Sequence, residues 1–489
     1  MTNKEQLKQT MNLSNIEPRA IWHNFSKLNS VPRPSKKEER VTAFIKKFGE
    51  DLGLPTTVDA VGNVIIAKPA TPGMEMRQAV VLQSHLDMVC QKNNDVAFDF
   101  DTQGIDMYVE GDWVRAKGTT LGADNGLGVA TIMALLESQD IPHPALEALF
   151  TIDEETGMTG ALNLQPGTLK ANILLNLDTE EDDEITIGCA GGIDVTATAA
   201  YPLVPAAGTG INIAIKGLKG GHSGMDIHKG LGNANIILSR LLFALAEQLP
   251  LQLVSIDGGG LRNAIPREAH ALLVVADADT ANKISNTAKQ QILDEFASLE
   301  PALNINILAA NHEGKALSTA DSDKIIHALK AAHNGVYRMS PDVAGLVEAS
   351  NNVARVLLHE DNLQILNLSR SSVESSKDDV ANQLKAVFEL AGMEVEFSGA
   401  YPGWKPLPGS AIVQLMERIY KDNFGHEPKV TACHAGLECG IIGAHYPKME
   451  MVSFGPTIRG AHSPEERASI SSVQKFWGFL QDILAGIPE

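Results

Sequence analysis

Five side chains of metal-ligand type lie beside predicted strand ends or helix starts in this 489-residue chain. They are His85 in QSHLDMV, Asp124 in LGADNG, Glu155 in TIDEETG, Asp178 in LNLDTEE and His462 in RGAHSPEE. Two imidazoles and three carboxylates can hold two divalent cations that share one bridging carboxylate, and such a pair activates water for hydrolysis. A single His or Asp at a strand end is more often a capping or solvated group. The prediction therefore depends on all five together.

Two further carboxylates lie next to these candidate ligands. Asp87 follows His85 by two residues, so in an extended segment both side chains point the same way. Asp87 can then accept a hydrogen bond from the imidazole nitrogen that faces away from a metal; the alternative is a turn carboxylate. Glu154 directly precedes Glu155, and adjacent side chains diverge, so Glu154 can serve as a general base while Glu155 binds metal. The alternative for this pair is an exposed acidic turn.

The bulk composition excludes several classes of protein. A net charge of −20 argues against nucleic acid and anionic membranes as partners. The first residues are polar, and no segment approaches the ~18 apolar residues of a membrane-spanning helix. The four cysteines are too few and too scattered for a disulfide framework. We therefore predict a cytoplasmic protein with reduced thiols.

Helical and strand patterns alternate from residue 15 to about residue 190. The pattern predicts helices over Ile16–Asn29, Lys37–Leu52 and Gly126–Glu137, and strands over Asn63–Lys68, Ala79–Gln83, Leu146–Ile152 and Ile173–Leu177. This alternation indicates an α/β fold with a mainly parallel sheet flanked by helices. Such sheets bind ligands beyond the carboxyl ends of their strands, which is where the candidate ligands fall.

The middle of the chain has a different pattern and lacks these ligands. Residues 191–401 contain two similar units, about 205–300 and 315–400, each with antiparallel strands and two helices. The pattern predicts a duplicated α+β lid domain. It is inserted into a catalytic domain formed by residues 1–190 and 402–489.

Several motifs, taken together, resemble those of a known enzyme family. SHLDMV, KGTTLGADNGLG, DEETGMTGA, LNLDTEE and GAHSPEE resemble the motifs of the co-catalytic zinc metallopeptidases, the family that includes aminoacylase and carboxypeptidase G. Within that family they are most similar to dipeptidases that act on Xaa-His substrates, and the resemblance covers nearly the whole chain.

The resemblance implies a role for each candidate ligand. Asp124 would bridge two zinc ions. His85 and Asp178 would complete one metal site, and Glu155 and His462 the other.

The same resemblance gives roles to the neighbouring residues. Asp87 would orient a histidine ligand, and Glu154 would be the general base. The family also implies a cis peptide after the bridging aspartate, here Asp124–Asn125. Many relatives have Asp where this chain has Asn125.

The inserted segment contains three more matches to the family. GGHSGMDIHKGLGNAN implies that His222 stabilises the oxyanion, GGGLRNAIPREAHA that Asn263 binds substrate, and NLSRSSVESS that Arg370 holds the substrate carboxylate. The alternatives are a loop histidine among glycines and a surface arginine on a strand. In relatives with a short lid the three residues lie in one unit, and a partner subunit often supplies the His. Here the Arg occurs only in the second unit, so we expect one chain to complete the site, whether or not it forms a homodimer.

The segment HAGLECG, residues 434–440, is a further candidate. His434 or Glu438 could face the substrate, and Glu438 could bind the free α-amino group of a dipeptide. A packing motif at a helix start is the alternative.

The sequence and the resemblance together predict a di-zinc dipeptidase. It would hydrolyse Xaa-His and similar short dipeptides through a metal-bridging water, with Glu154 as general base. Mn²⁺ or Co²⁺ could replace Zn²⁺ at His and carboxylate ligands. The alternatives are a tripeptidase, an N-acyl amino acid deacylase, or a non-catalytic binding protein on the same fold.

Overall fold

The computed structural model describes residues 13–206 and 208–489, which group into two compact units. The first unit contains the described residues up to Gly188, together with Pro406–Ala432 and Ile441–Glu489. The second contains Cys189–Lys405 and Cys433–Gly440, so a short segment late in the chain packs with the middle of the chain. That one unit carries catalysis and the other serves as a lid stays a prediction.

Strands and helices occupy most of both units. The strands are β1 (Thr56–Val58), β2 (Val64–Lys68), β3 (Val80–His85), β4 (Met107–Glu110), β5 (Trp113–Ala116), β6 (Leu146–Thr151), β7 (Ile173–Asn176), β8 (Glu184–Cys189), β9 (Gly191–Ala200), β10 (Val204–Pro205), β11 (Thr209–Lys216), β12 (Leu251–Gly259), β13 (Ala269–Val275), β14 (Asn304–Ala310), β15 (Lys315–Ala316), β16 (Gly335–Met339), β17 (Val347–His359), β18 (Asn362–Ser371), β19 (Glu394–Tyr401), β20 (Lys429–Cys433), β21 (Glu450–Ser453), β22 (Ile458–Arg459) and β23 (Arg467–Ser469). The helices are α1 (Arg19–Asn29), α2 (Glu39–Asp51), α3 (Ala123–Glu137), α4 (Glu154–Gly157), α5 (Thr159–Asn163), α6 (Ala234–Ala246), α7 (Ala278–Phe296), α8 (Thr319–Ala331), α9 (Glu374–Leu390), α10 (Ala411–Phe424), α11 (Glu438–His445) and α12 (Ile470–Gly486).

The predicted elements of the first unit are present, with shifted ends. The helix predicted from Ile16 begins at Arg19, directly after Pro18, which has no N–H to donate. The helix predicted from Gly126 begins at Ala123, although Asp124 and the residue after it have non-helical dihedral angles. His85, which the prediction placed after a strand, is the last residue of β3.

The first unit is built on an eight-stranded mixed sheet in the order β1-β2-β6-β3-β7-β21-β8-β20. The four central strands, β6, β3, β7 and β21, are parallel, whereas the β1–β2, β2–β6 and β21–β8 pairs are antiparallel. All six residues of β3 and all four of β7 are buried, as expected for central parallel strands with both faces covered. A separate four-stranded sheet, β22-β23-β5-β4, belongs to the same unit.

The second unit is built on a nine-stranded sheet whose pairs are all antiparallel. Its order is β14-β11-β13-β12-β17-β18-β9-β19, with β16 paired to β17. The order β14-β11-β13-β12 is mirrored by β19-β9-β18-β17. The first half of the unit runs β11-α6-β12-β13-α7-β14 along the chain. The second half runs β9-α8-β17-β18-α9-β19, so the two halves have the same succession of strands and helices. The second half takes its first strand, β9, from ahead of the first half, outside the range 315–400 proposed from sequence.

Within the described residues, no helix has the length and apolar character needed to cross a membrane.

Candidate functional site

The central parallel strands of the first unit bring most of the candidate ligands to one edge. His85 ends β3, Glu155 follows β6, and Asp178 lies two residues beyond β7. His85 pairs with Thr151, the last residue of β6, so these strand ends are adjacent. The fourth parallel strand, β21, leads to the β22–β23 hairpin, whose loop carries His462.

Asp124 lies between the two histidines, with one carboxylate oxygen directed to each. The Nε2 atom of His85 is 3.2 Å from Asp124 Oδ1 and 3.4 Å from Asp178 Oδ1. The Nε2 atom of His462 is 3.2 Å from Asp124 Oδ2 and 3.1 Å from Glu155 Oε2. The five side chains thus form two half-sites that share Asp124, and each half-site adds one histidine and one carboxylate.

The spacing and chemistry of these donor atoms fit divalent cations. Two donors that are each about 2.1 Å from a tetrahedral ion lie about 3.4 Å apart, close to the separations within each half-site. Glu155 Oε1 is buried, and no hydrogen-bond partner for it occurs among the described residues. A bound cation would satisfy this oxygen and offset the repulsion among three crowded carboxylates.

Neighbouring carboxylates raise the pKa of both histidines. Hydrogen bonds to Asp124 and then Glu155 raise the pKa of His462 to about 11. Burial disfavours protonation of His85, but Asp178 and Asp124 outweigh it and raise its pKa well above the usual value. Because a metal binds neutral imidazole, metal binding would release these protons.

Asp87 connects His85 to the Glu154–Glu155 segment. Its Oδ1 lies 3.3 Å from His85 Nδ1, which leaves Nε2 directed towards the other ligands. The backbone N–H groups of Glu154 and Glu155 donate to Asp87 at 3.0 and 3.2 Å, and the Ser35 hydroxyl donates at 2.7 Å. Burial opposes ionisation of Asp87, but the hydrogen bonds, led by His85, lower its pKa to about 2. The ionised Asp87 thus holds His85 and the Glu154–Glu155 segment in place through hydrogen bonds.

Asn125 fits beside the ligands better than an aspartate would. The Asp124–Asn125 peptide is cis, as expected from the resemblance. The side-chain amide of Asn125 donates to the Leu177 carbonyl at 2.9 Å and also to Asp178 Oδ1. Burial raises the pKa of Asp178, and a second carboxylate at position 125 would repel it.

Asp87 also belongs to a second group of buried carboxylates. Oxygen atoms of Glu38, Asp87 and Asp153 lie within 4.8 Å of one another. Glu38 accepts a hydrogen bond from the Asp153 N–H at 3.0 Å, and Asp153 adopts a left-handed conformation just before Glu154. Glu38 therefore helps to shape the turn that presents Glu154, a role that the sequence did not suggest.

In the second unit, the hydrogen bonds of His222 select its tautomer. Its Nδ1 accepts hydrogen bonds from the N–H groups of Gly224 at 3.1 Å and Met225 at 3.0 Å. The proton of the neutral ring must therefore lie on Nε2. Burial, and then the positive charge of Arg370, lower the pKa of His222. His222 is thus a neutral ring with one N–H to donate.

Arg370 is almost completely buried in β18 of the second unit, with 4% of its surface exposed. Its Nη1 donates to the Tyr401 hydroxyl at 2.8 Å, while Nε has no hydrogen-bond partner among the described residues. The Tyr401 ring occupies the space beside Gly192, the strand partner of Arg370, where a Cβ would lie 2.6 Å from the ring. A buried guanidinium with N–H groups that lack acceptors can bind an anionic ligand.

His434 lies near the same groups. Its Nε2 is 2.7 Å from the Ser350 hydroxyl. Burial, followed by the charge of Arg370, lowers the pKa of His434 to about 3, so the ring is neutral. His222, Arg370 and His434 therefore influence one another electrostatically within the second unit.

Asn263 and Glu438, also in the second unit, differ in accessibility. Asn263 is exposed, and its backbone carbonyl accepts a hydrogen bond from Ser223 N–H at 2.8 Å, which ties its loop to the His222 loop. Glu438, the first residue of α11, has 1% of its surface exposed. Asn263 is accessible to a ligand, whereas Glu438 is buried.

Besides Glu38, three residues that the sequence did not single out contribute to these clusters: Arg33, Tyr401 and Glu466. Arg33 and Glu466 are buried and contact the Asp124 loop. Two features of the sequence could have indicated these residues: Arg33 lies between two prolines, and Glu466 belongs to the GAHSPEE motif. Tyr401 has no comparable signal.

Comparison with known proteins gives consistent matches. The family model described as Peptidase family M20/M25/M40 matches residues 81–485. The Escherichia coli (strain K12) protein named cytosol non-specific dipeptidase is 45% identical over 480 residues, which cover 97% of this chain and 99% of that protein.

Solved structures show the same relationship. The crystal structure of the aminoacylhistidine dipeptidase from Vibrio alginolyticus is 45% identical and covers 98% of each chain, with a TM-score of 0.93. The aminopeptidase PepT from Bacillus cereus covers 97% of this chain and all of its own, with a TM-score of 0.58 and 17% identity. The second likeness shows a shared fold alone.

Proposed function

Because this chain belongs to peptidase family M20/M25/M40, whose members are metal-dependent, we propose that it is a dipeptidase using two zinc ions to cleave Xaa-His and similar short dipeptides. The single observation that carries the proposal is the pair of half-sites sharing Asp124. His85 and Asp178 would hold one ion, and Glu155 and His462 the other. When bound, the ions would lower the pKa of a water molecule and polarise the substrate carbonyl.

Residues of the chain itself would move the protons. Glu154 would take a proton from the attacking water and pass it to the leaving nitrogen. Asp87 supports this role because it accepts the Glu154 N–H and so orients the start of α4.

Other residues would recognise the substrate. The Nε2–H of His222 would donate to the oxyanion that forms as the carbonyl is attacked. Arg370 would pair with the C-terminal carboxylate of the substrate, which would restrict cleavage to short peptides. Asn263 would contribute a further polar contact, whereas the burial of Glu438 argues against the contact with the substrate α-amino group that the sequence suggested.

The names of the similar proteins differ in the preference for histidine that they indicate. One is called a non-specific dipeptidase and the other an aminoacylhistidine dipeptidase. We propose a broad dipeptidase that accepts Xaa-His among its substrates and acts in the cytoplasm. Its partners would be small peptides rather than nucleic acid or membranes.

A substrate panel tests the proposed activity. Xaa-His dipeptides, dipeptides without histidine, tripeptides and N-acyl amino acids would be assayed with zinc, manganese and cobalt. We expect the highest kcat/KM for dipeptides with a free C-terminal carboxylate and two metal ions per chain by elemental analysis. Faster cleavage of tripeptides or N-acyl amino acids would contradict the substrate class. Fewer than one zinc per chain after reconstitution would contradict the metal centre.

Mixing two inactive variants tests whether one chain completes the site. A His222→Ala chain would be mixed with a Glu154→Ala chain under conditions that allow subunits to exchange. If His222 acts with the Glu154 of its own chain, the mixture stays inactive. Recovery of activity would show that another chain supplies His222.

A further inference from the structure

Two buried side chains of opposite charge contact the loop that carries Asp124. Arg33 lies ahead of α2, and Glu466 lies in the β22–β23 loop, so they come from opposite ends of the chain. Only 1% of the surface of Arg33 and 2% of that of Glu466 is exposed. Burying a charged group costs free energy unless hydrogen bonds satisfy it. The hydrogen-bond partners of Arg33 and Glu466 therefore indicate the role of these two side chains.

Glu466 accepts hydrogen bonds from four consecutive backbone N–H groups. Its Oε2 accepts from Leu121 at 2.7 Å and Gly122 at 3.0 Å, and its Oε1 accepts from Ala123 at 2.7 Å and Asp124 at 3.3 Å. N–H groups at a helix start have no acceptor within the helix. The Glu466 carboxylate supplies that acceptor and fixes the backbone at Asp124.

Arg33 binds carbonyl groups of two segments that carry ligands. Its Nη1 donates to Leu86 O at 3.1 Å and Asp87 O at 3.0 Å, directly after His85. Its Nη2 donates to Gly122 O at 2.6 Å. One planar guanidinium thereby joins the end of β3 to the Asp124 loop, which a point charge could not do as well.

The two glycines of LGADNG make room for this guanidinium. Gly122 has a φ of +68°, and a Cβ there would lie 2.5 Å from Arg33 Nη2. A Cβ at Gly126 would lie 2.6 Å from the same atom. Side chains at either position would displace Arg33, so the spacing of the motif suits the arginine as well as the metal ligand.

These contacts connect the backbone of three candidate ligands. Glu466 follows His462 by four residues in one loop and binds the Asp124 N–H, while Arg33 joins His85 to the same loop. We propose that Arg33 and Glu466 are positioning residues that hold His85, Asp124 and His462 at metal-binding separation and so determine metal affinity. The inference rests on the proposed metal-dependent function.

Glu466→Gln is the main test, and Glu465→Gln is its matched control. The amide oxygen could still accept two of these hydrogen bonds, but its N–H₂ group would face the other two backbone N–H donors, so those two hydrogen bonds are lost with little change in shape. We expect zinc affinity, measured by competition with a chelator, to fall 10- to 100-fold. We also expect kcat to fall by a similar factor while KM changes less than threefold. Glu465 has 74% of its side chain exposed, and its substitution should change none of these values.

Two milder variants keep the inference testable if Glu466→Gln does not fold. Glu466→Asp keeps the charge but withdraws it from the N–H groups, and Arg33→Lys keeps the charge but loses the planar fork. We expect each folded metal-free variant to bind zinc at least fivefold more weakly and to alter the absorption spectrum of the Co²⁺-substituted protein. Zinc affinity and spectrum equal to those of the wild-type protein would overturn the inference. So would failure of all three variants to fold, because the residues would then serve the core in general.

The wild-type protein measured in parallel separates this inference from the proposed function. If the wild-type protein bound no metal, the proposed function would fail. If it bound metal and the variants matched it, the positioning role alone would fail.

Discussion

The polar clusters of the two units differ in charge and in the way their histidines are held. In the first unit, His85 and His462 face carboxylates, and these contacts raise the pKa of both rings. In the second, His222 and His434 lie near Arg370, and burial lowers the pKa of both. The first cluster suits cations, whereas the second suits an anionic or oxyanionic ligand. The same residue type thus acquires opposite properties from its surroundings.

The sheets explain part of this contrast. Parallel strands end at a common edge, so side chains from separate loops meet there. In the antiparallel sheet, Arg370 lies within β18 and is oriented by Tyr401 on β19. The parallel sheet therefore brings together charged ligands from distant parts of the sequence. The antiparallel sheet instead holds a buried side chain such as Arg370 against a fixed partner.

The largest expected effect tests the acidic cluster. Glu154→Gln keeps the shape of the side chain but removes its basicity. We expect kcat to fall at least 10³-fold, since a general base contributes up to about 10⁴-fold, while the metal content stays at the wild-type value. Glu75→Gln, an exposed substitution in the same unit, serves as the control. Turnover near the wild-type rate would exclude Glu154 as the base, and loss of metal would make it a ligand.

The next prediction tests the cationic cluster. Arg370→Ala should lower kcat/KM about 10²-fold for dipeptides with a free carboxylate, because a buried charge pair contributes about 3 kcal/mol. Dipeptides with a C-terminal amide should show much less change. Arg355→Ala, which removes a partly exposed arginine paired with Asp257, is the matched control. An equal loss for both kinds of substrate would contradict a role in carboxylate binding.

Asp87→Asn tests how far the first cluster depends on residues behind the ligands. The amide can no longer accept from His85, Glu154 and Glu155 together. We expect zinc affinity or activity to fall 10- to 100-fold, as is typical for partners of histidine ligands. Metal titration and steady-state kinetics would measure both. Unchanged values in a folded variant would remove Asp87 from the proposed site.

The smallest expected effect concerns stability and separates neutral from charged histidines. The pKa of His434 is about 3 in the folded protein and near 6.5 when unfolded, so the unfolded chain binds more protons between these values. The free energy of unfolding should therefore fall as pH decreases below about 6.5, by about 1.4 kcal/mol per pH unit from this group. Removing the group with His434→Asn should make the thermal midpoint fall less, or rise more, than that of the wild-type protein as the pH decreases from 7.5 to 5. The exposed substitution His23→Asn should leave this pH dependence unchanged, and equal slopes in all three proteins would contradict a neutral His434.

Much of the architecture was predictable from the sequence, and the α/β fold and the family are confirmed. Strands such as β3 and β7 were predictable because both of their faces are buried, which gives each a run of consecutive apolar residues. Strand β9 was not predicted, since its sequence GGIDVTATAA is rich in small residues and carries a weak apolar signal. Consequently, only strand pairing shows that the first half of the second unit is inserted in the chain between β9 and the remaining elements of the second half.

The sequence by itself determined the donor inventory, because residue type sets ligand chemistry and motif spacing places the donors at element ends. Residue type and spacing did not divide the donors into half-sites. The family resemblance implied the division, and the tertiary structure produces it, since the pairing of His85 with Asp178 and of His462 with Glu155 depends on strand order. The tertiary structure also decided the direction in which the pKa of each of the four histidines in the two clusters shifts. These properties arise from burial and neighbouring charge, which depend on residues far apart in the chain.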